Sequence, residues 1–361
     1  MRAVWLLLCI VPLAGCARLR SGPVPLPPSL PEQIPVFYAT DRAPVPFEAR
    51  KCEPQEERDR IRAFATTPEE RLSYGVYPVL IRKEHRIGGL AEPLRRELRC
   101  RQPKAKPLEV ARPVPQEDSE FWRALAAEVA ASPRREVLVF IHGFNFSFEA
   151  AAQRAAQLRY DLGFEGPVVL FSWASRASPR RYPQDELTVA ASGARLRTFL
   201  EMLRARNGAE SVHLLAHSMG NRALVDALAE MPDGKHFGQV ILAAPDMDVA
   251  DFRAKAPALV RLARRVTLYA SVEDRPLLVA AGHHKKPRAG ESGENVVVVT
   301  GVDTIDVSAV REDFLGHSYY GDNRSVLSDM YRLLRDDAPP ATRFRLFRIP
   351  HGDGFYWAFR P

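Results

Sequence analysis

The sequence has few of the features that mark nucleic-acid-binding, repetitive or membrane-spanning proteins. It has no internal repeat, and beyond the first twenty residues it has no run of about 20 apolar residues that could cross a bilayer. The 51 Lys and Arg are scattered among 44 Asp and Glu, which leaves a formal net charge of +7. There is no long basic run, zinc-finger spacing or aromatic–basic motif. We therefore expect a mildly cationic surface and no nucleic-acid partner.

Cysteine is also scarce, and two of the four cysteines lie at the N-terminus. Arg2 precedes a short apolar segment, residues 4–12, which is too short to span a bilayer as a stable anchor. The segment ends in Leu13-Ala14-Gly15-Cys16, which resembles a bacterial lipobox. The resemblance implies that residues 1–16 are a lipoprotein signal peptide and that Cys16 is lipidated. An ordinary signal peptide cut near Gly15 remains the alternative.

The lipobox resemblance implies a location in the bacterial cell envelope. No aspartate follows Cys16 directly, which favours the outer membrane, with the protein facing the periplasm. In that oxidising compartment the remaining cysteines, Cys52 and Cys100, could form a disulfide, although two separate thiols are also compatible with the sequence. The Pro-rich residues 17–35 are expected to be an extended spacer between the lipid and the folded body.

Residues 36–340 are predicted to form one catalytic domain of the α/β class, and residues 341–361 a C-terminal tail. Residues 36–40 and 76–81 are strand candidates, and Pro78 favours a position at a sheet edge for the second. From residue 118 onward, continuous apolar runs alternate with amphipathic segments, a pattern typical of a mostly parallel, doubly wound sheet with helices on both faces. The predicted strands are 137–141, 167–172, 211–216, 238–243, 266–270 and 296–299. The predicted helices are 118–131, 147–162, 184–206, 219–230, 250–262 and 323–335.

Ser218 is the candidate nucleophile. Ala216-His217-Ser218-Met219-Gly220 lies between the apolar strand 211–216 and a helix in which Leu224, Val225 and Leu228 share a face. This strand–turn–helix context is that of a nucleophile elbow, in which the residues two positions either side of the serine must be small. Such a turn also directs the Met219 amide and the N-terminus of the helix at the reacting atoms.

Five segments of the sequence together resemble an uncharacterised bacterial branch of the esterase/lipase-like α/β-hydrolases, across about residues 36–335. Four of them are Val36-Phe37-Tyr38-Ala39-Thr40-Asp41-Arg42, Phe171-Ser172-Trp173-Ala174-Ser175, the elbow itself, and Ala243-Ala244-Pro245-Asp246. The fifth, Phe140-Ile141-His142-Gly143-Phe144-Asn145, resembles the turn that supplies the oxyanion hole, and implies a donor at the Phe144 amide. Ala174 departs from the expected Pro.

The base and the acid are predicted from chain order, which in this fold runs serine, acid, histidine. His317 follows the last predicted strand and precedes the last helix, so it is our candidate base, with His351 as the rival. Asp274 follows strand 266–270 and is our candidate acid, with Asp246 as the alternative. Since a serine hydroxyl is a poor nucleophile alone, it needs such a base and an orienting carboxylate.

These residues predict a serine hydrolase that cleaves carboxylic esters, including lipid esters, through an acyl-enzyme on Ser218. An amidase, peptidase or thioesterase could use the same residues, and a non-catalytic envelope lipoprotein could keep the fold. We expect no cofactor. The adjacent His283 and His284 suggest a metal site, but the sequence shows no third ligand at suitable spacing, so we expect no metal.

Overall fold

A computed structural model describes residues 33–45, 63–81, 85–88, 112–234, 236–310 and 317–360. The predicted signal peptide, nearly all of the Pro-rich spacer, and the cysteines Cys16, Cys52 and Cys100 lie outside the described residues. Among the helices of the described part, none has the length and apolar character needed to cross a membrane.

One mixed sheet of eleven strands runs through the described part of the chain, in the order β10-β11-β9-β8-β7-β6-β4-β5-β1-β2-β3. The strands from β11 to β1 in this order are parallel to one another, and the β10–β11, β1–β2 and β2–β3 pairs are antiparallel. The strands are β1 (Gln33–Pro44), β2 (Phe64–Leu80), β3 (Val114–Gln116), β4 (Glu136–Ile141), β5 (Val168–Ser172), β6 (Ser211–His217), β7 (Phe237–Ala243), β8 (Ala263–Ala270), β9 (Val302–Asp306), β10 (Leu346–His351) and β11 (Gly354–Phe359).

Helices cover both faces of the sheet. Along β4, Val137, Val139 and Ile141 belong to one apolar cluster, while Leu138 and Phe140 belong to the other. The first cluster includes residues of α1, α3, α4 and α5, and the second those of α2 and α8. Burial of alternate side chains on opposite faces explains why these strands are apolar throughout. The helices are α1 (Asp118–Ala131), α2 (Phe148–Asp161), α3 (Tyr182–Arg206), α4 (Gly220–Ala229), α5 (Val249–Leu262), α6 (Arg275–His284), α7 (Tyr319–Asp322) and α8 (Arg324–Asp336). The predicted α/β architecture is confirmed.

The predicted strand at 296–299 is wrong. These residues are irregular, and the strand beside β8 is β9, a few residues later. The valines are nevertheless packed, since Val296 and Val297 are buried and the Val297 carbonyl accepts a hydrogen bond from the Thr304 hydroxyl at 2.6 Å. This apolar run is therefore buried against the sheet without pairing as a strand.

Residues 341–361, expected to be a tail, instead contain two strands. β10 and β11 pair with each other across a turn at Gly352, and β11 extends the sheet by pairing with β9.

The strand that contains Pro78 also differs from the expectation, because β2 is an inner strand of the sheet and not an edge strand. Its outer neighbour β3 pairs only with Tyr74, Gly75 and Val76, so Pro78 lies outside the segment of β2 that pairs with β3.

Candidate active site

The predicted site residues follow neighbouring parallel strands at the same edge of the sheet. His142 follows β4, Ser218 follows β6, Asp246 lies just beyond β7, and Asp274 lies just beyond β8. The strands β4, β6, β7 and β8 are consecutive in the sheet. Since the carboxyl ends of parallel strands share one edge, the fold collects these side chains in one place.

Ser218 has a left-handed backbone conformation, with φ of 51°. Its amide donates to the Ala243 carbonyl at 2.9 Å, and its own carbonyl accepts from Asn221 Nδ2 at 2.9 Å. The turn is tight at its far end, because a Cβ on Gly220 would lie 2.3 Å from the His142 carbonyl oxygen. The sequence therefore needs glycine at 220, as the predicted elbow requires.

The His-Gly turn after β4 lies directly against Ser218. A Cβ on Gly143 would come within 2.8 Å of the Ser218 Cβ and 2.7 Å of His217 Nδ1. Only a residue without a side chain allows this approach. The backbone that carries the predicted oxyanion donor, Phe144, is thereby held beside the serine.

His317 is hydrogen-bonded to Asp274. Its Nδ1 lies 2.8 Å from both carboxylate oxygens, and Asp274 is fully buried. Asp274 also caps α6 by accepting from the Leu277 amide at 3.1 Å. Burial raises the pKa of Asp274, while the charge and hydrogen bond of His317 act to lower it. With Nδ1 held by the carboxylate, Nε2 is the ring nitrogen that can act as a base.

His217, the residue before Ser218, contacts the backbone of the candidate base. Its Nε2 lies 3.1 Å from the His317 carbonyl oxygen and must donate to it, and the two ring centroids are 4.6 Å apart. Burial holds the pKa of His217 well below its usual range, so the ring is neutral. This bond brings the His317 backbone next to the serine turn, a role that sequence reasoning missed because the partner is a backbone atom far along the chain.

Asp246, the alternative acid, is held in a different network. Its carboxylate accepts from Tyr182 Oη at 2.6 Å and Arg288 Nε at 2.8 Å, and Arg222 Nη2 lies 3.3 Å away. Burial alone would raise its pKa, but the charges of Arg222 and Arg288 bring the pKa below the ordinary value. The ionised Asp246 carboxylate therefore links the segments that carry Tyr182, Arg222 and Arg288.

A chain of hydrogen bonds orients the predicted oxyanion donor. Arg42 Nε donates to Ser172 Oγ at 2.9 Å, and Ser172 Oγ lies 3.2 Å from His142 Nε2. His142 Nδ1 lies 2.8 Å from the Gly143 carbonyl oxygen. Burial and the Arg42 charge lower the pKa of His142 to about 3. The 2.8 Å contact to the Gly143 carbonyl assigns the single proton of the neutral ring to Nδ1, so Nε2 can accept from Ser172, and the same Nε2 also lies 3.2 Å from the Trp173 carbonyl oxygen.

This chain fixes the direction of one N–H group. The Gly143 carbonyl and the Phe144 amide share one planar trans peptide, so the N–H points away from the carbonyl. Holding the carbonyl on His142 therefore sets where the Phe144 amide points. Sequence reasoning noted Arg42 only within a resembling segment. The signal that could have singled it out is an arginine two residues beyond the apolar run 36–40; in the structure Arg42 lies within β1 and is 1% exposed.

The second predicted donor, the Met219 amide, lies at the N-cap position of α4. The first amides of a helix lack intrahelical acceptors and are directed towards the end at which negative charge is stabilised. Met219 is itself buried. The two predicted donors therefore belong to the turns after β4 and β6, which approach each other closely at Gly143 and Ser218.

Three potential metal ligands lie at the rim of this edge. His283 and His284 end α6, and Glu186 of α3 joins them, with one donor atom of each residue within 4.8 Å of the others. Sequence reasoning saw the histidine pair but missed Glu186, because the third ligand comes from a distant helix and no local spacing reveals it.

The fold, with Ser218 directly after β6 and with His317 bonded to the carboxylate of Asp274 just beyond β8, defines a protein of the α/β-hydrolase class. The chain belongs to the family described as alpha/beta hydrolase of unknown function (DUF900), whose signature matches residues 117–336. A comparison with curated proteins finds no match.

Several solved structures are distantly similar. A protein of the alpha/beta hydrolase superfamily from Xanthomonas campestris pv. campestris is 16% identical, with a TM-score of 0.32, over 56% of this chain and 99% of that one. An acylaminoacyl peptidase from Pyrococcus horikoshii is 14% identical, with a TM-score of 0.31, over 56% of this chain and 36% of that one. An acylaminoacyl peptidase in complex with a chloromethyl ketone is 12% identical, with a TM-score of 0.32, over 74% of this chain and 39% of that one. The chain thus spans little more than a third of these peptidases.

Proposed function

We propose that the protein is a serine hydrolase that cleaves carboxylic esters through an acyl-enzyme on Ser218, with His317 as base and Asp274 as acid. The observation that carries the proposal is the hydrogen bond of His317 Nδ1 to both oxygens of the buried Asp274, 2.8 Å each. A buried carboxylate on Nδ1 fixes the tautomer whose Nε2 can accept a proton. The bond between His217 and the His317 backbone supports this role by linking the base to the residue that precedes the nucleophile.

The chemistry proceeds in two halves. His317 Nε2 takes the proton of the Ser218 hydroxyl while Ser218 Oγ attacks the ester carbonyl carbon. The carbonyl oxygen then becomes an oxyanion. When the intermediate collapses, the carbon–oxygen bond to the alcohol breaks and His317 returns the proton to the leaving oxygen. Water then attacks the acyl-serine with His317 again as base, which releases the acid and restores Ser218.

The oxyanion is the step at which backbone geometry matters most. The Phe144 and Met219 amides are the proposed donors, and each such donor is worth about 3 kcal/mol of transition-state stabilisation. The His142 contact to the Gly143 carbonyl supports this role because it orients the Phe144 amide before substrate arrives. A donor that is already oriented needs no rearrangement during the reaction.

Hydrolysis of a series of aryl esters tests the proposal. The purified protein should hydrolyse them, with kcat/KM depending on acyl chain length, and Ser218→Ala should lose this activity by several orders of magnitude. Ser211→Ala is the matched control, since Ser211 lies at the opposite end of the same strand, and it should keep wild-type activity. Full activity in Ser218→Ala would contradict the proposal. Faster cleavage of the matching anilides would assign the same residues to an amidase.

A further inference from the structure

We propose that Glu186, His283 and His284 form a binding site for one divalent transition-metal ion of the zinc class at the rim of the candidate active site. One donor atom of each residue lies within 4.8 Å of the other two. Two imidazoles and a carboxylate are a ligand set that suits Zn²⁺, which leaves the fourth tetrahedral position to water. The proposal stands independently of the esterase proposal.

The separation of the donor atoms is close to what such an ion needs. Ligands about 2.1 Å from a tetrahedral Zn²⁺ lie about 3.4 Å from one another. His284 Nε2 and Glu186 Oε1 are 2.8 Å apart, so the two side chains need to separate by only a few tenths of an ångström. This short contact places the two donor atoms next to one another.

His284 Nε2 is poorly satisfied by its present surroundings. The atom is buried, yet it makes no hydrogen bond of acceptable angle to any residue that the structure describes, despite the nearby Glu186 oxygen. A buried ring nitrogen without a well-directed partner costs free energy. A metal ion bound between this nitrogen and the carboxylate would satisfy both.

Arg222 contacts the proposed metal ligand Glu186 and the neighbouring Tyr182. Its Nη1 lies 2.6 Å from Glu186 Oε1, and its Nη2 lies 3.0 Å from Tyr182 Oη. A carboxylate has two oxygens with several lone pairs, so it can accept from an arginine and still ligate a metal. Such outer contacts orient a ligand, but the positive charge of Arg222 also weakens cation binding. We therefore expect weaker binding than at a zinc site without such a neighbouring charge.

The position of the site gives an ion a structural consequence. α6 begins next to its N-cap Asp274, the candidate acid, and ends at His283 and His284. An ion held with Glu186 would therefore join the end of α6 to α3. The Tyr182 ring lies between this site and the oxyanion turn, with centroids 6.0 Å from His283 and 5.2 Å from Phe144. His283 is exposed, so an ion can reach the site from solvent.

Competition with a chromophoric zinc chelator tests the proposal on the untagged full-length protein. The wild type should bind one Zn²⁺ per chain that is lost, or weakened at least about tenfold, in His283→Gln and in His284→Gln. His236→Gln is the matched control and should bind as the wild type does. His236 lies on the surface, and its Nε2 is 3.1 Å from the Pro232 carbonyl oxygen of its own turn.

Thermal unfolding supplies a second readout. Zn²⁺ should raise the Tm of the wild type and of His236→Gln in a concentration-dependent manner, because a ligand that binds only the native state stabilises it. Ser218→Ala should respond as the wild type does, which separates this site from the catalytic proposal. If His284→Gln does not fold, Glu186→Gln takes its place. Absence of saturable binding, or equal binding by wild type and both histidine variants, would overturn the proposal.

Discussion

Ser218 is held in a backbone conformation that residues with side chains avoid, at a cost of about 1 to 3 kcal/mol. Asn145 and Ala244 share this conformation, with φ of 62° and 47°, and follow the ends of β4 and β7. The same conformation also occurs elsewhere in the described chain, for example at Arg135 and Asp337, but these three residues place it at the edge where the candidate site lies. The Ser218 amide donates to the Ala243 carbonyl and the Ser218 carbonyl accepts from Asn221 Nδ2, so the surrounding structure maintains this conformation.

The two candidate carboxylates should respond differently to loss of charge. Asp274→Asn should lower kcat by about 10⁴-fold with little change in fold, because the imidazole loses the anion that sets its tautomer. Asp246→Asn should lower the free energy of unfolding by about 3 to 5 kcal/mol, because it leaves Arg222 and Arg288 buried without their shared anion.

Steady-state kinetics on folded protein and urea unfolding of both variants measure these effects separately. Our assignment of the acid is wrong if folded Asp246→Asn loses kcat by orders of magnitude while Asp274→Asn keeps it.

The neutral state of His142 predicts how stability depends on pH. Its pKa is lowered to about 3 in the folded protein, whereas the unfolded chain protonates near 6.5. Below pH 6.5 the unfolded state therefore binds the extra proton, so stability falls as pH falls. Between pH 7 and 5 this residue alone should remove about 2 kcal/mol from the free energy of unfolding.

Urea unfolding of the wild type and of His142→Gln at both pH values measures this contribution. The variant should lose about 2 kcal/mol less than the wild type over the same interval. An identical loss in both proteins would show that His142 is not kept neutral by the fold.

At the scale of elements, the geometry of the candidate site depends on the close approach of the turn after β4 to the turn after β6. Gly143→Ala should sharply lower kcat, because its Cβ would lie 2.8 Å from the Ser218 Cβ, and overpacking of this kind costs about 1 to 3 kcal/mol of stability. Gly282→Ala in α6 is the matched control, since nothing lies within 4 Å of its added Cβ. It should keep full activity and gain about 0.5 to 1 kcal/mol from helix propensity.

Ester hydrolysis and thermal unfolding of the two glycine variants distinguish these outcomes. Wild-type kcat in a folded Gly143→Ala variant would remove the turn after β4 from the catalytic geometry.

Most of the buried strands could be predicted from continuous apolar runs. Five consecutive apolar residues in β4 are compatible with a strand covered by helices on both faces. Residues 296–299 form a similar apolar run, yet Val296 and Val297 are buried in irregular chain, because burial alone does not require a partner strand. β10 and β11 were missed because Pro350 and the polar residues between them obscure the alternation. The turn signal Gly352-Asp353-Gly354 was the available indication.

The candidate site could also be predicted only in part. Ser218, Asp274 and His317 could be chosen from their order relative to the strands, because the topology fixes which strand ends are neighbours. The contacts of Arg42 with the turn after β4, and of Glu186 with the histidine pair, join residues far apart in sequence. No local pattern encodes such a contact, so only the folded chain reveals it.

At the scale of the whole molecule, we propose that a lipid on Cys16 anchors the protein to the outer membrane. Cys16 and the spacer lie outside the described residues, so this rests on the lipobox resemblance. Two or more acyl chains exceed the single-chain limit for reversible binding. The wild type should fractionate with membranes and carry a lipid mass on Cys16, whereas Cys16→Ser should yield soluble protein or uncleaved precursor. Soluble wild type without lipid would replace the lipobox with an ordinary signal peptide.

The central claim is that Ser218 is an activated nucleophile, and covalent labelling with a fluorophosphonate tests it most directly. Peptide mass analysis of the labelled wild type should place one adduct on Ser218. Ser218→Ala should be folded and unlabelled, and Ser211→Ala should label at the wild-type rate. A wild-type protein that is folded but unlabelled, or an adduct that persists in Ser218→Ala, would contradict the account.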